Sequence, residues 1–273
     1  MTYNHKMKHL HIYVLYRCKI ALIYTIILTF AVICASTACM LHIARESLVQ
    51  YRAQPYPLET KPPYTVAIDA GHGHFDTGAN GIIKEITLCE TTCDKLYALL
   101  SADSSYKPIL TRQKGENPKI AKRASTAIAY KSSLLISIHG NCDHSSRSSH
   151  GFECYPTPPG RLYSAEAMRF AECIANGMGK AKHRLRGGGS GIRYAYYNGE
   201  RKFMVDITDS KVRTQKSFGI VEKPLCPSVL VEQCFVTNSD DVYNWAGAKG
   251  CARAARIYYE AICAYFGTVP LQQ

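Results

Sequence analysis

The sequence has no Cys-x-x-Cys pair, no block of Lys and Arg residues and no internal repeat. The first absence argues against a zinc ribbon or a thioredoxin-like site. The second makes nucleic-acid binding a weak interpretation of the net charge of +12, which is spread along the chain. Without a repeat, the sequence indicates no separate binding domain beside its main one.

Acidic residues are missing from positions 1–19, and formally charged residues are missing from the 25 positions between Ile20 and Ala44. A helix of that length, rising about 1.5 Å per residue, can cross a hydrocarbon core of about 30 Å. Because only basic residues precede the apolar run, the N-terminus is expected in the cytoplasm and the rest of the chain outside. We therefore predict a basic cytoplasmic segment at 1–19 and a transmembrane signal-anchor at 20–44.

The same apolar segment has a second interpretation. Small residues at 35–38 also suit a signal peptidase, and cleavage there would release a secreted protein. Residues 45–64 carry four prolines and no sustained periodicity, which is typical of a stiff linker. We expect one folded domain at 65–267 and a short tail at 268–273.

Stretches typical of strands and helices alternate along the folded domain, and this alternation predicts an α/β fold. Strands are predicted at 65–69, 107–111, 133–139, 151–155 and 228–232. Helices are predicted at 85–101, 117–130, 162–182 and 247–266. An inward-facing stripe at helical spacing in the last helix is formed by Cys251, Ala254, Tyr258 and Ile262.

Nine of the twelve cysteines follow residue 60, so at least one of these nine is unpaired in a monomer. Cys89 and Cys93 lie four residues apart on a predicted helix, a spacing that suits small core residues better than a disulfide. We expect most of the nine to be buried free thiols.

Residues 183–224 give the least clear pattern. The glycine-rich stretch at 186–191 lacks the Gly-Lys-Ser/Thr ending of a phosphate-binding loop, so we interpret it as a flexible loop. The tyrosines that follow, Tyr194, Tyr196 and Tyr197, fit a substrate groove and an ordinary strand face equally well.

Two histidines stand at the ends of apolar strands, each beside a glycine. His72 follows the run at 66–70, and His139 follows the run at 134–138. The carboxyl edge of an open α/β sheet is where ligands and metals collect. A hydrolytic zinc site needs a third protein ligand and an open position for water, and Glu85 in the next helix can supply that ligand. Each of these residues alone would also fit a structural role.

Glu232 closes the apolar strand at 228–232. A buried carboxylate is costly unless it has a partner or a function. Glu232 is consistent with a structural role in a salt bridge, and it is also consistent with a general base whose pKa is raised by burial. Metal-assisted hydrolysis is therefore the chemistry that the residues themselves indicate.

The order of these motifs resembles the zinc-dependent N-acetylmuramoyl-L-alanine amidases of the amidase-3 family. The motifs that carry the resemblance are Ile68–Gly73, Gly78–Ala79, Gly81–Glu85, Leu110–Arg112, Arg123, Leu135–Asn141, Gly151–Phe152 and Pro227–Asn238. They extend over about residues 65–266. The resemblance implies a single α/β domain with a mostly parallel, twisted sheet flanked by helices. It also implies Zn²⁺ held by His72, Glu85 and His139, with Glu232 as the catalytic acid and base.

The reaction implied by the resemblance is hydrolysis of the amide between the muramic acid lactyl group and L-alanine of peptidoglycan stem peptides, for cell-wall remodelling or lysis. We expect a single-pass membrane protein whose catalytic domain is monomeric, extracytoplasmic and bound to peptidoglycan, without nucleic acid. One departure from the family lies near the proposed metal, because His74 stands where glycine is usual.

Three alternatives remain open from the sequence. A zinc carboxypeptidase-like peptidase would need a clamp for a terminal carboxylate, and Arg112 and Arg123 fit this role as well as they fit structural salt bridges. A wall-binding module that has lost catalysis would lack a ligand or base, and none is missing. A cysteine nucleophile would be Cys142, close to His139 in sequence.

Overall fold

The computed structural model describes residues 56–272 and eight of the positions between 25 and 36. The chain divides into two units, Met1–Gln54 and Pro55–Gln273, and the fold below is that of the second. No helix among the described residues is long and apolar enough to cross a membrane. The predicted anchor at 20–44 lies mostly outside the described residues, as does the first half of the linker, and both stay predictions.

Seven strands and six α-helices follow one another in the described part of the second unit. They are β1 (Tyr64–Ala70), α1 (Glu85–Ala102), β2 (Tyr106–Leu110), α2 (Ile120–Ala129), β3 (Leu134–Asn141), β4 (Glu153–Pro156), α3 (Ser164–Lys180), β5 (Arg193–Asn198), β6 (Arg201–Asp206), α4 (Gly219–Glu222), β7 (Ser228–Phe235), α5 (Ser239–Trp245) and α6 (Gly247–Phe266).

Five of the strands form one sheet in the order β2-β1-β3-β7-β4. β2, β1, β3 and β7 are parallel, and β4 runs antiparallel to β7 at the edge. All seven residues of β1 are buried, as expected for an apolar run in a sheet covered on both faces. The predicted α/β fold with a mostly parallel sheet is confirmed, and the antiparallel strand β4 lies at the edge of that sheet.

Helices α1 and α6 pack against each other and against the sheet. The predicted stripe on α6 is confirmed, because Cys251, Ala254, Tyr258 and Ile262 are all buried. Cys89 and Cys93 are buried on α1, and all nine cysteines after residue 60 are free. The prediction of small, unpaired core thiols is therefore confirmed.

The region at 183–224 holds more regular structure than the sequence indicated. A short 3₁₀ turn occupies Gly187–Gly189, and β5 and β6 form an antiparallel hairpin separate from the main sheet. The tyrosines of β5 include both kinds predicted above, residues of an ordinary strand face and a residue of a groove. Tyr194 and Tyr196 are buried, whereas Tyr197 lines the large cleft described below.

The end of the predicted linker is bonded to the domain. The hydroxyl of Tyr56 donates to the carbonyl of Ser132 at 2.8 Å. The carboxylate of Glu59 accepts from the backbone N–H of Thr65 at 2.6 Å and from the hydroxyl of Ser133 at 2.7 Å. These bonds tie the segment before β1 to the start of the neighbouring strand β3.

Candidate metal centre

The strands β1, β3 and β7 carry the candidate residues to one edge of the sheet. His72 lies two residues beyond β1, while His139 and Glu232 lie near the carboxyl ends of β3 and β7. His139 and Glu232 are register partners across these two parallel strands. All three therefore lie at the edge where open α/β sheets bind ligands.

His72, Glu85 and His139 converge at this edge. Each offers a ligand atom, and these atoms lie within 4.8 Å of one another. Oε1 of Glu85 lies 2.9 Å from Nε2 of His72 and 3.0 Å from Nδ1 of His139. Two imidazole nitrogens and a carboxylate oxygen are a donor set typical of catalytic zinc. The convergence expected from the sequence is present.

Asp76 orients the ring of His72. Its Oδ1 lies 3.0 Å from Nδ1 of His72 and also accepts from the backbone N–H of Gly78 at 3.0 Å. A carboxylate on one ring nitrogen leaves the other free to bind a metal and raises its basicity. Asp76 was not among the predicted site residues, because its only signal in the sequence is its position four residues after His72.

Glu85 is held as a carboxylate by the groups around it. Burial alone would raise the pKa of Glu85, but the hydrogen bonds and charges of His139 and His72 outweigh burial and hold this pKa well below its ordinary value. Backbone N–H groups of Ala79 and Gly140 also donate to its two oxygens, at 2.9 and 3.1 Å. The side chain is therefore fixed and charged.

The pKa of His72 shifts in the opposite direction. Burial lowers this pKa, but hydrogen bonds and charges from Glu85 and Asp76 more than compensate and raise it above 6.5. The histidine and the glutamate thus stabilise each other's charged forms.

Glycines leave the space that these side chains occupy. A Cβ on Gly71 would lie 2.4 Å from Cε1 of His139, and a Cβ on Gly78 would lie 2.6 Å from Oε2 of Glu85. Any larger residue at either position would displace a candidate ligand. The glycine beside His72 is therefore required by the packing of the site.

Arg112 and Arg123 brace the backbone that leads into the site. Arg112 donates from Nε to the carbonyl of Ala70 at 2.9 Å and from Nη2 to that of Gly71 at 3.0 Å. Arg123 donates to the carbonyls of Ala70 and His72. Both arginines are 5% exposed. Their guanidinium groups are thus committed to backbone carbonyls around a residue whose φ is +62°.

Glu232 lies beside the candidate ligands but does not take part in the hydrogen bonds that join Glu85 to the two histidines. Burial raises the pKa of its carboxyl to about 7. Among the described residues its Oε2 is buried without a hydrogen-bond partner. A buried, unpartnered carboxyl oxygen is expensive in a purely structural role. It suits a group that exchanges a proton near neutral pH.

A cleft of about 750 Å³ opens over these residues. Its floor includes His72, Glu85, His139 and Glu232. One side comes from the hairpin β5–β6 and the chain that follows it; we call this side the hairpin wall, formed by Tyr197, Lys202, Lys216 and Phe218. The candidate ligands are therefore open to a substrate of peptide or sugar size.

His74, the departure from the family nearest the proposed metal, lies apart from the candidate ligands, and Cys142 is poorly suited to act as a nucleophile. His74 is exposed, and its ring packs on Phe75 with the ring centroids 3.7 Å apart. It is not one of the grouped ligand residues. Cys142 lines the cleft, but burial raises the pKa of its thiol above the ordinary value, which disfavours the thiolate that a nucleophile requires.

Comparison with protein families matches residues 66–264 to a family described as N-acetylmuramoyl-L-alanine amidase. The amidase LytC of Bacillus subtilis is 28% identical over 205 residues, which cover 74% of this chain and 35% of LytC. The probable amidase AmiB of Haemophilus influenzae is 28% identical over 227 residues, covering 74% of this chain and 52% of AmiB. The chain thus matches between about a third and a half of these relatives.

Solved structures with the same fold include two amidase domains. The catalytic domain of CwlV from Bacillus (Paenibacillus) polymyxa superposes with a TM-score of 0.59 at 24% identity, covering 76% of this chain and 99% of that one. Ami1 from Mycobacterium smegmatis gives a TM-score of 0.61 at 17% identity, with 77% and 99% covered. At these identities the likeness establishes the fold.

Proposed function

The chain belongs to the amidase-3 family of N-acetylmuramoyl-L-alanine amidases, and from that membership we propose that it hydrolyses the amide between N-acetylmuramoyl lactyl groups and L-alanine in peptidoglycan. The observation that carries the proposal is the convergence of His72, Glu85 and His139 within 4.8 Å on the floor of an open cleft. Glu232 on the same floor supplies the acid and base that amide hydrolysis needs.

We propose that His72, Glu85 and His139 hold Zn²⁺. Their nitrogen and oxygen donors suit this ion, and Asp76 and the backbone N–H of Gly140 orient two of the three side chains from behind. An ion held there would supply Lewis-acid chemistry for the scissile carbonyl and would lower the pKa of an attacking water toward about 7.

Glu232 moves the proton in this proposal. Its carboxylate accepts a proton from the attacking water and returns it to the amide nitrogen, which leaves as the amino group of L-alanine. A carboxyl whose pKa is raised toward neutrality can do both within one turnover. The buried, unpartnered Oε2 is consistent with this function.

The competing chemistries find less support. Arg112 and Arg123, the two residues considered as the carboxylate clamp of a carboxypeptidase-like reaction, are both engaged with backbone carbonyls. A wall-binding module without catalysis would not need the three grouped ligand residues together with Glu232. The raised pKa of Cys142 opposes a cysteine nucleophile.

We further propose that the enzyme acts outside the cytoplasmic membrane, in cell-wall remodelling or lysis. The apolar segment at 20–44 would anchor it, with the basic segment at 1–19 in the cytoplasm, the linker at 45–64 and a monomeric catalytic domain at 65–267. Cleavage of the segment would instead release a secreted enzyme. Membrane fractionation of the expressed full chain, with size analysis of its N-terminus, separates these two outcomes.

Digestion of purified peptidoglycan by the zinc-loaded chain tests the proposed reaction. The expected product is a stem peptide with a new free amino group on L-alanine, identified by mass spectrometry after amine labelling. Chelation of the metal should abolish the product, and added Zn²⁺ should restore it. Release of C-terminal amino acids in place of that amine would support the peptidase instead.

A further inference from the structure

The hairpin wall carries positive charge into the cleft. Lys202 and Lys216 are exposed and line the cleft, whereas no acidic residue between 193 and 219 lines it. Within residues 56–272, neither lysine takes part in an ion pair. Among the acidic residues of the cleft, Asp76 and Glu85 contact the histidines and Asp69 pairs with Arg123. Glu232 interacts with the charge of Lys202 but forms no ion pair with it. The two ammonium groups are therefore available to a ligand.

The wall is fixed to the domain. The backbone N–H of Tyr197 donates to the carbonyl of Lys216 at 2.8 Å, which joins the hairpin to the returning chain. The guanidinium of Arg161 donates to the carbonyl of Gln215 at 2.9 Å. The ring of Phe218 packs edge-on against the buried Tyr155, with centroids 5.3 Å apart. These contacts hold the lysines over the cleft.

Aromatic rings orient one of the ammonium groups. Nζ of Lys202 lies 5.3 Å from the centre of the Phe218 ring, and Tyr197 contacts the same ring edge-on at 5.9 Å. A cation over an aromatic face is restrained without losing its capacity to bind an anion. Lys202 and Glu232 also border an adjoining cavity of about 180 Å³, so the two side chains face the same two spaces.

We propose that the hairpin wall is the subsite for a free carboxylate of the stem peptide. This inference rests on the proposed amidase function, because it assumes that the peptide side of the scissile bond lies in the cleft. Two unpaired ammonium groups next to apolar rings match a short peptide that bears carboxylates. The enzyme then prefers stem peptides with free carboxylates over peptides in which these groups are carboxamides.

Two matched ligand pairs test the preference with the full chain in detergent. The first pair, L-alanyl-D-glutamate and its diamide, is titrated into the metal-free protein by calorimetry. The second pair, the corresponding N-acetylmuramoyl dipeptides, is used to measure kcat/KM with the zinc-loaded protein. We expect the free acid to be favoured about twofold to fivefold per lysine in both measurements, and the preference to weaken as salt is added.

Substitution of the two lysines tests whether they cause the preference for the free acid. Lys202→Gln and Lys216→Gln should each reduce the ratio of acid to amide, and the double variant should bring the ratio near one. Lys211→Gln removes an exposed lysine of the same segment that does not line the cleft, and it should leave the ratio unchanged. A ratio near one in the unaltered chain, or a ratio that survives the double variant, overturns the proposal.

The two measurements separate this proposal from the amidase function. Equal hydrolysis of both muramoyl dipeptides, with equal binding of both products, contradicts the carboxylate subsite and leaves the amidase function standing. Preferential binding of the acid without hydrolysis of either substrate supports the subsite and contradicts the amidase function.

Discussion

His139 and Glu232 are register partners on the adjacent parallel strands β3 and β7. One is a candidate zinc ligand and the other is the candidate acid and base. Because backbone hydrogen bonds set this pairing, the sheet fixes where the backbones of these two residues lie relative to each other.

Asp76 should control metal affinity without binding the metal. Replacing it by alanine removes the carboxylate on Nδ1 of His72, and loss of such a partner typically lowers metal affinity about 10-fold to 100-fold. Competition with a chromophoric chelator measures the change. Asp94→Ala, an exposed acid on α1, is the matched control. Equal zinc affinity in the two variants would argue against the orienting role.

His74→Gly should have little effect. The side chain is exposed and its backbone φ is +49°, which glycine adopts without strain. We expect the zinc content to be unchanged and kcat/KM to stay within about twofold, the range of a surface substitution. His72→Gly, two residues earlier, should lose both the bound zinc and the activity. Loss of zinc from the His74 variant would mean that His74 is a ligand after all.

Gly71→Ala should damage the site through packing alone. The added Cβ would lie 2.4 Å from His139, so that ring must move. Overpacking of this kind costs about 1–3 kcal/mol of stability. Metal analysis together with urea unfolding should reveal a loss of zinc and a lower free energy of unfolding. A variant with full zinc and unchanged stability would show that the ring can relocate freely.

Much of this architecture can be predicted from the sequence. The runs at 66–70, 134–138 and 228–231 are mostly apolar because these strands are buried, and a residue of the candidate site follows each within two positions. The helical spacing on α1 and α6 likewise follows from burial of one face. The order of the motifs that contain His72, Glu85 and His139 then matches the pattern of one family.

The remaining parts depend on contacts that the sequence does not encode locally. The hairpin β5–β6 has two buried tyrosines on β5, but only its packing distinguishes it from a loop. The short helix α5 does have a local signal, because the side chain of Asn238 caps it by accepting the N–H groups of Asp240 and Asp241, but its seven residues are too few to show a helical period. Asp76 gains its role only because the turn at 72–76 folds back on His72, so its function follows from tertiary geometry.

His183 should make the stability of the domain sensitive to acid. Its Nε2 lies 2.9 Å from the carbonyl of Gln233, its ring stacks on Trp245 at 4.1 Å, and burial lowers its pKa below the ordinary 6.5. Well above pH 6.5 the side chain of His183 is neutral in both the folded and the unfolded protein. Below pH 6.5 the unfolded chain binds the proton more readily, so the free energy of unfolding falls by at most about 1.4 kcal/mol per pH unit until the folded pKa is passed.

Urea unfolding of the metal-free protein between pH 8 and pH 5 measures this effect. His183→Gln keeps a donor for Gln233 but does not titrate, so its free energy of unfolding should fall less over the same range. The comparison removes contributions from the other titrating groups, which the two proteins share. Parallel pH curves for both would show that His183 does not carry the acid sensitivity.

In the proposed reaction, a metal held by His72, Glu85 and His139 would work with Glu232 to cleave the muramoyl–alanine amide. The most direct test is Glu232→Gln, with zinc content and turnover measured on the same preparation and with Glu200→Gln, an exposed glutamate of the hairpin turn, as the control. We predict full zinc occupancy with kcat reduced about 10²-fold to 10⁴-fold, the usual contribution of a general acid and base. Zinc-loaded Glu232→Gln protein that turns over at the rate of the unaltered chain would contradict the account.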